Sequence, residues 1–228
     1  MSKTENVFEE EWSKLLEMYK KDWKYTLRSY RKEGKSALKY LPKHFYSEAD
    51  IEITLSYMLR NRLKKETYFN SEYVVRDQLR FSSNAYTGFK ISDRIEKMET
   101  ILKNEKIGKK KFIPDIVIDN LSNANEGAFL LFAELTYLPG SSTKYNKGVP
   151  KKIDDLIEKV EEEAKTLNIA KKAEVLESGY VCIISDDLVS IDGAIKGIQK
   201  LEKEYPEVKF LYDGMKLTEK YKTLGLPY

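Results

Sequence analysis

Two stretches decide the fold of this chain: Phe-Ile-Pro-Asp-Ile-Val-Ile at residues 112–118 and Gly-Ala-Phe-Leu-Leu-Phe-Ala-Glu-Leu-Thr-Tyr at residues 127–137. Each is an apolar run that contains one carboxylate, Asp115 in the first and Glu134 in the second. A charged side chain inside a buried strand is unfavourable unless an opposite charge pairs with it or a metal ion binds it. Two such charges on consecutive strands therefore predict a site for a divalent cation. The alternative is that Asp115 is a solvent-facing residue at the end of its strand and that Glu134 pairs with a lysine.

The composition is typical of a globular protein from a reducing compartment. At 228 residues, with 41% hydrophobic and 34% charged residues, the chain fits one large domain. No run approaches the roughly 18 apolar residues of a membrane span, and no signal-like segment begins the chain, so we expect a cytoplasmic protein without a membrane partner. The single cysteine, Cys182, excludes an internal disulfide and a cysteine-based zinc site. His44 is the only histidine, and no glycine-rich phosphate loop occurs, which disfavours histidine-based catalysis and nucleotide binding.

Basic residues cluster in two places, although the net charge is only +3. One cluster leads into the Asp115 strand, and the other lies towards the end of a predicted helix. Such clusters suit the phosphate backbone of a nucleic acid, but a solvated loop or helix face explains them equally well, and the sequence leaves both interpretations open. The candidate phosphate-contacting residues are Lys109, Lys110, Lys111, Arg60 and Arg62.

Residues 5–33 predict a long amphipathic helix. Aromatic and aliphatic side chains recur at three- and four-residue spacing, with glutamate and lysine between them, until Gly34 interrupts the pattern. We expect this stripe to pack either on the main domain or on a second copy of the chain, so a homodimer through this helix is one open possibility. We therefore predict a helical extension at residues 1–43 and an α/β domain at residues 44–228.

The remainder of the chain alternates between predicted helices and strands. A helix begins after Ser47, a good N-cap, with Glu48 and Glu52 on or beside its buried face. Strands that alternate with helices late in a chain are typical of an α/β layer with a mixed sheet. The elements predicted after this helix are a strand at 73–81, a helix at 91–104, the two strands that contain Asp115 and Glu134, a helix at 153–167, a strand at 180–185, a helix at 191–205 and a strand at 208–212.

The order of these elements and the placement of the acids resemble the PD-(D/E)XK nuclease superfamily, which has the restriction-endonuclease-like fold. The matching residues are Pro114-Asp115 at the start of one strand and Glu134-Leu135-Thr136 in the next. The similarity extends to the helix near Glu48 and to residues 152–159 of a later helix, and it covers roughly residues 45–212. It implies a central mixed sheet flanked by helices, with both carboxylates at one end of the sheet.

The resemblance implies a metal-dependent endonuclease that hydrolyses phosphodiester bonds in DNA. Mg²⁺ or Mn²⁺ would be the cofactor, because both prefer oxygen ligands, and the ion would lower the pKa of a water molecule and stabilise charge on the phosphate. Because side chains alternate along a strand, Glu134 should face the same side as Phe132 and Thr136. The implied metal ligands are Asp115, Glu134, the backbone carbonyl of Leu135 and, directly or through water, Glu48 or Glu52 from the preceding helix.

The sequence departs from the family pattern at Thr136, which occupies the position of the catalytic lysine. That lysine orients the attacking water and neutralises developing charge, and a threonine hydroxyl cannot supply the charge. Two explanations stay open. Either a lysine from elsewhere occupies the same space, with Lys152 as the candidate and Lys144 as a weaker one, or catalysis has been lost. In the second case the domain is a non-catalytic module that binds nucleic acid or a partner protein.

Overall fold

The structure is a computed structural model that describes residues 1–33, 48–66, 73–77, 90–105, 107, 113–120, 128–138, 153–185 and 188–214. No helix within these ranges is long and apolar enough to cross a membrane. The elements in chain order are α1 (Lys3–Glu33), α2 (Glu48–Glu66), β1 (Tyr73–Asp77), α3 (Ile91–Asn104), β2 (Ile116–Asn120), β3 (Phe129–Leu138), α4 (Ile153–Lys172), β4 (Leu176–Ser185), α5 (Leu188–Glu204) and β5 (Val208–Gly214).

The five described strands form one mixed sheet in the order β1-β2-β3-β4-β5. The pairs β1–β2 and β2–β3 are antiparallel, whereas β3–β4 and β4–β5 are parallel. Parallel neighbours need a crossover connection, and α4 and α5 provide the two crossovers. The predicted α/β fold, a central mixed sheet flanked by helices with a further helix at the N-terminus, is confirmed, and its elements follow the predicted order.

The predicted boundaries hold closely for α3 but not for α4 and β4. The α4 helix continues to Lys172 instead of ending at residue 167, and β4 begins at Leu176 instead of residue 180. The helix ends in a Schellman motif, in which the Val175 N–H donates to the Ala170 carbonyl (2.9 Å) and the Glu174 N–H donates to the Lys171 carbonyl (2.9 Å). Glu174 has a φ of 59°, a conformation that usually requires glycine, so the sequence carries no ordinary helix stop here.

Two apolar clusters cover the two faces of the sheet. One contains residues of α3, α4 and α5, and the other contains residues of α1 and α2. The β3 strand contributes alternately: Phe132 belongs to the first cluster, whereas Leu131, Ala133 and Leu135 belong to the second. This alternation is the predicted one, and it places Glu134 on the face that α4 covers.

The aromatic stripe of α1 packs on the sheet of its own chain. Phe8 is fully buried, and its ring centroid lies 4.7 Å from that of Tyr180 on β4. Tyr19 is also buried, and its hydroxyl donates to the carbonyl of Ser185, the last residue of β4 (2.6 Å). The first of the two packing alternatives is therefore the one observed for this part of the helix, and the homodimer stays a prediction.

A polar network also ties α1 to the sheet. The Lys209 ammonium on β5 lies 3.2 Å from a carboxylate oxygen of Glu5 and 3.2 Å from one of Glu9. Burial opposes ionisation of Glu5, but hydrogen bonds from Ser2 and Ser178, together with Lys209, hold the pKa of that carboxyl at about 2. Helix α1 thus shares the core of the α/β domain, while the predicted domain boundary after residue 43 lies outside the described residues.

We expect Phe8→Ala to lower the free energy of unfolding by about 3–5 kcal/mol, because it leaves a cavity between α1 and the Tyr180 ring. Urea denaturation measures this loss. The matched control is Met18→Ala on the exposed side of the same helix, where Met18 is 43% exposed, with an expected change within about 0.5 kcal/mol. Equal effects of the two substitutions would contradict the packing of α1 described above.

Candidate active site

The antiparallel ladder between β2 and β3 ends before β3 does. Its last pair on β3 is Ala133, whereas β3 continues to Leu138. Beyond that point, two carboxylates accept hydrogen bonds from backbone N–H groups of β3 on the side where β2 has ended. The N–H of Leu135 donates to Oδ2 of Asp115 (2.7 Å), and the N–H of Tyr137 donates to Oε2 of Glu48 (3.0 Å). These two hydrogen bonds hold two acids at the ladder end, one from the residue just before β2 and one from the first turn of α2.

Asp115 and Glu134 meet at this ladder end, close enough for a protonated Glu134 to lower the pKa of Asp115 through a hydrogen bond. Burial raises the pKa of Asp115 to about 6, although the Leu135 N–H favours the charged form. Burial also raises the pKa of Glu134 well above its usual range, and the charges of Asp115 and Glu163 raise it further. Both acids bind protons more tightly than ordinary carboxyl groups, which means that the site favours an added positive charge.

Lys159 on α4 brings a cation to this group of acids. Its Nζ lies 3.1 Å from Oε2 of Glu48 and 3.5 Å from Oε1 of Glu163. Burial lowers the pKa of the Lys159 ammonium, but the charges of Glu163, Glu48 and Asp115 outweigh it, and the net pKa is raised. Lys159 therefore stays positively charged beside the Asp115–Glu134 pair.

Thr136 and Glu163 contact each other on the same face of the sheet. The Thr136 hydroxyl lies 3.1 Å from each of the two carboxylate oxygens of Glu163, and both side chains are largely withdrawn from solvent. Burial is the main cause that raises the pKa of Glu163 to about 8, and the charges of Asp115 and Glu48 add to it, while Lys159 opposes it. The threonine thus engages an acid from the facing helix instead of supplying a charge.

The structure brings together three of the acids considered from the sequence: Asp115, Glu134 and Glu48. Of the two candidate acids on α2, Glu48 accepts a hydrogen bond from the Tyr137 N–H of β3, and Glu52 is buried. Leu135 contributes its N–H to Asp115, and because the N–H and carbonyl of a strand residue point to the same side, its carbonyl also faces the ladder end. The proposed stand-in Lys152 lies outside the described residues.

Sequence reasoning missed Glu163, and it included Lys159 only as the last residue of the matching segment 152–159. The signal was present: Glu163 follows Lys159 by one helical turn, so the two side chains share a face of α4.

The structure describes two of the five predicted phosphate-contacting residues, Arg60 and Arg62. Lys109, Lys110 and Lys111 lie outside the described residues. The Arg60 guanidinium donates to the carbonyl of Val75 on β1 (3.2 Å), and Arg62 lies 3.4 Å from a carboxylate oxygen of Glu10 on α1. These contacts link α2 to its neighbours, and a role for either arginine in binding phosphate stays a prediction.

The donor set fits Mg²⁺ or Mn²⁺ only through the Asp115–Glu134 pair. Among the described residues, no group of three or more histidine, cysteine, aspartate or glutamate side chains is arranged to hold a metal ion. Mg²⁺ commonly keeps several waters and binds through one or two carboxylates, so a pair in mutual contact, with the Leu135 carbonyl nearby, meets its requirements. In this arrangement Glu48 instead binds the Tyr137 N–H and Lys159.

Comparisons with known proteins add little to this description. No family model matches the chain, and no curated protein matches it. The crystal structure of MunI restriction endonuclease in complex with cognate DNA aligns with 74% of this chain and 89% of that chain, at 11% sequence identity and a TM-score of 0.37. A likeness with so low a TM-score carries no argument, and the chemistry below rests on the residues of this chain.

We expect Asp115→Asn to stabilise the metal-free protein by about 1–3 kcal/mol at about pH 7.5, and by much less at about pH 4.5. The folded pKa of about 6 lies above the unfolded value near 3.8. Between these two values the folded state keeps a proton that the unfolded state has lost, so stability falls as the pH rises through this window. The asparagine variant avoids that loss.

Urea denaturation at the two pH values, with a chelator present, measures the difference. The control is Glu162→Gln, an exposed acid on α4, for which no pH-dependent gain is expected. An equal gain from Asp115→Asn at both pH values would show that the burial of Asp115 does not disfavour its charge.

Proposed function

We propose that this protein is a metal-dependent nuclease that hydrolyses phosphodiester bonds in DNA. The observation that carries the proposal is the meeting of Asp115 and Glu134 at the end of the β2–β3 ladder, where the Leu135 N–H binds Asp115 and where Glu48 and Glu163 hold the Lys159 ammonium. Two carboxylates and a lysine at one end of a mixed sheet are the groups that the PD-(D/E)XK resemblance calls for. Here the lysine comes from the following helix instead of the strand.

The electrostatics of the site explain why a cation is needed. Burial and the charges of Asp115, Glu163 and Glu48 raise the pKa of Glu134, and Lys159 is the cation that the described residues place among these acids. A phosphate diester is an anion, and such a group of acids repels it until a divalent ion neutralises them. When bound, Mg²⁺ or Mn²⁺ would lower the pKa of a water molecule and stabilise the charge that develops on the phosphate.

Each residue has a distinct role in this proposal. Asp115, Glu134 and the Leu135 carbonyl hold the cation, and Glu48 holds Lys159 against them. Lys159 orients the attacking water and neutralises charge on the phosphate, as the strand lysine does in the pattern that the sequence resembles. The water oxygen forms a bond to phosphorus, the bond from phosphorus to the leaving sugar oxygen breaks, and a proton from the water ends on that oxygen.

We assign contacts to the DNA backbone to basic residues from the two clusters in the sequence. Lys109, Lys110 and Lys111 directly precede the Asp115 strand and are the main candidates. Such contacts position the duplex without reading its sequence, and they make binding sensitive to salt. Arg60 and Arg62 already bind groups within the chain and are the weaker candidates.

We expect Mn²⁺ to stabilise the wild-type protein by about 2.7 kcal/mol when its concentration is about 100 times the dissociation constant. Ion binding to the folded state alone produces this gain, and thermal unfolding with and without a chelator measures it. Asp115→Ala and Glu134→Ala should abolish the gain, whereas the exposed control Glu162→Gln should retain it. An undiminished shift in both alanine variants would place the ion elsewhere.

We expect the wild-type protein to cleave supercoiled plasmid or single-stranded DNA in the presence of Mg²⁺ or Mn²⁺. Asp115→Ala, Glu134→Ala and Lys159→Met should each lower the rate by roughly 100-fold or more, because each removes charge stabilisation from the reacting phosphate. Gel assays on both substrates measure the rates, again with Glu162→Gln as the control.

The same assay separates the competing explanations. Loss of activity in Lys152→Met but not in Lys159→Met would return the catalytic role to Lys152. A wild-type protein that binds DNA in a salt-sensitive manner but never cleaves it would support the non-catalytic module instead. Activity that survives both alanine substitutions would reject the Asp115–Glu134 site.

A further inference from the structure

We propose that Thr136 and Glu163 act as a positioning pair, which holds the Lys159 ammonium in place for the reaction at Asp115 and Glu134. The inference rests on the proposed function, since it assigns how the relocated lysine is kept at the reacting phosphate. Neither residue would contact the substrate or the cation.

The Thr136 hydroxyl fixes the orientation of Glu163. Thr136 is 2% exposed, and its hydroxyl lies at the same distance, 3.1 Å, from both carboxylate oxygens of Glu163. A β-branched side chain on a strand has few rotamers, so this hydroxyl is a fixed point. Glu163 comes from α4 and cannot rotate away from the strand without losing its partner in a buried place.

Two acids, Glu48 and Glu163, contact Lys159. Its Nζ lies 3.1 Å from Glu48 and 3.5 Å from Glu163, which come from different helices. Each of these acids is itself bound to β3, Glu48 by the Tyr137 N–H and Glu163 by the Thr136 hydroxyl. A lysine side chain has four rotatable carbon–carbon bonds. Two anchored carboxylates restrict the position of its ammonium group far more than one.

The same contacts account for a threonine instead of a lysine at position 136. A lysine there would bring a second ammonium into the space where Glu163 now meets the strand. Threonine is short enough to leave room for Glu163 and still offers a donor to it. The threonine and the relocated lysine therefore belong together as one arrangement, in which the strand orients the charge and the helix carries it.

We expect Thr136→Val and Glu163→Gln to lower kcat by roughly 10- to 100-fold, since a small misplacement of a reacting group has effects of this size. KM for DNA and the affinity for Mn²⁺ should stay within about threefold, because neither substituted group binds substrate or ion. Thr136→Ser keeps the hydroxyl and should retain most of the activity. In a Lys159→Met background, Thr136→Val should have no further effect, because the group that it positions is gone.

The matched control is Thr166→Val. Thr166 is another buried threonine, but it lies on α4, and its hydroxyl donates to the Glu162 carbonyl of its own helix (2.8 Å). It should leave kcat unchanged. A loss of Mn²⁺ affinity in Glu163→Gln would make Glu163 a metal ligand and overturn the positioning role, and so would full activity in Thr136→Val.

A measurement without DNA tests the same arrangement separately from catalysis. In a proton–nitrogen correlation spectrum, an ammonium held by two carboxylates gives a sharp signal, which Lys159→Met identifies by its disappearance. We expect that signal in the wild type, Thr136→Ser and Thr166→Val, and its broadening in Thr136→Val and Glu163→Gln.

The two measurements keep the two proposals apart. If the wild type cleaves no DNA but shows this pattern of signals, the nuclease proposal fails and the positioning arrangement survives. If the wild type gives no such signal, or if Thr136→Val leaves the signal unchanged, the positioning proposal is wrong whatever the activity.

Discussion

The early end of the β2–β3 ladder is the constraint on which the rest of this site depends. Leu135 and Tyr137 are buried, and their N–H groups face the side where β2 has stopped, so each requires an acceptor from elsewhere. Asp115 and Glu48 supply carboxylate oxygens. The unpaired N–H groups of the strand thus place two carboxylates where solvent is scarce. The Lys159 ammonium contacts one of these carboxylates.

Those charges cost stability, which is the reason to assign them a function. Neutral acceptors such as asparagine or serine satisfy a strand N–H without the burial penalty that raises the pKa of Asp115 to about 6. A chain that retains charged groups in such a place, next to a third acid at Glu134, holds a locally unfavourable arrangement that a bound cation relieves. Strongly perturbed acids in mutual contact are typical of catalytic and metal sites.

The sequence predicted the sheet and the two strand acids because both depend on simple periodicities. Alternation along β3 fixed the face of Glu134, and proximity to a strand start fixed Asp115. The acid on α4 escaped because three consecutive glutamates end in Glu163, and its spacing of one helical turn from Lys159 is a weak signal beside its packing against Thr136, which the sequence does not show. The end of α4 escaped for a different reason, since Glu174 adopts the backbone conformation normally left to glycine.

Four consecutive residues of β3 act on three acidic partners, and in the proposed function this explains how the charge of a motif lysine can come from α4. Glu134 meets Asp115, the Leu135 N–H binds Asp115, the Thr136 hydroxyl binds Glu163, and the Tyr137 N–H binds Glu48. The strand therefore organises the site through its hydrogen-bond donors, whichever element carries the ammonium. Phosphate chemistry requires a positive charge at one point in space, and α4 faces the same point as position 136. A lysine on the helix can meet that requirement only where the strand holds its acidic neighbours still.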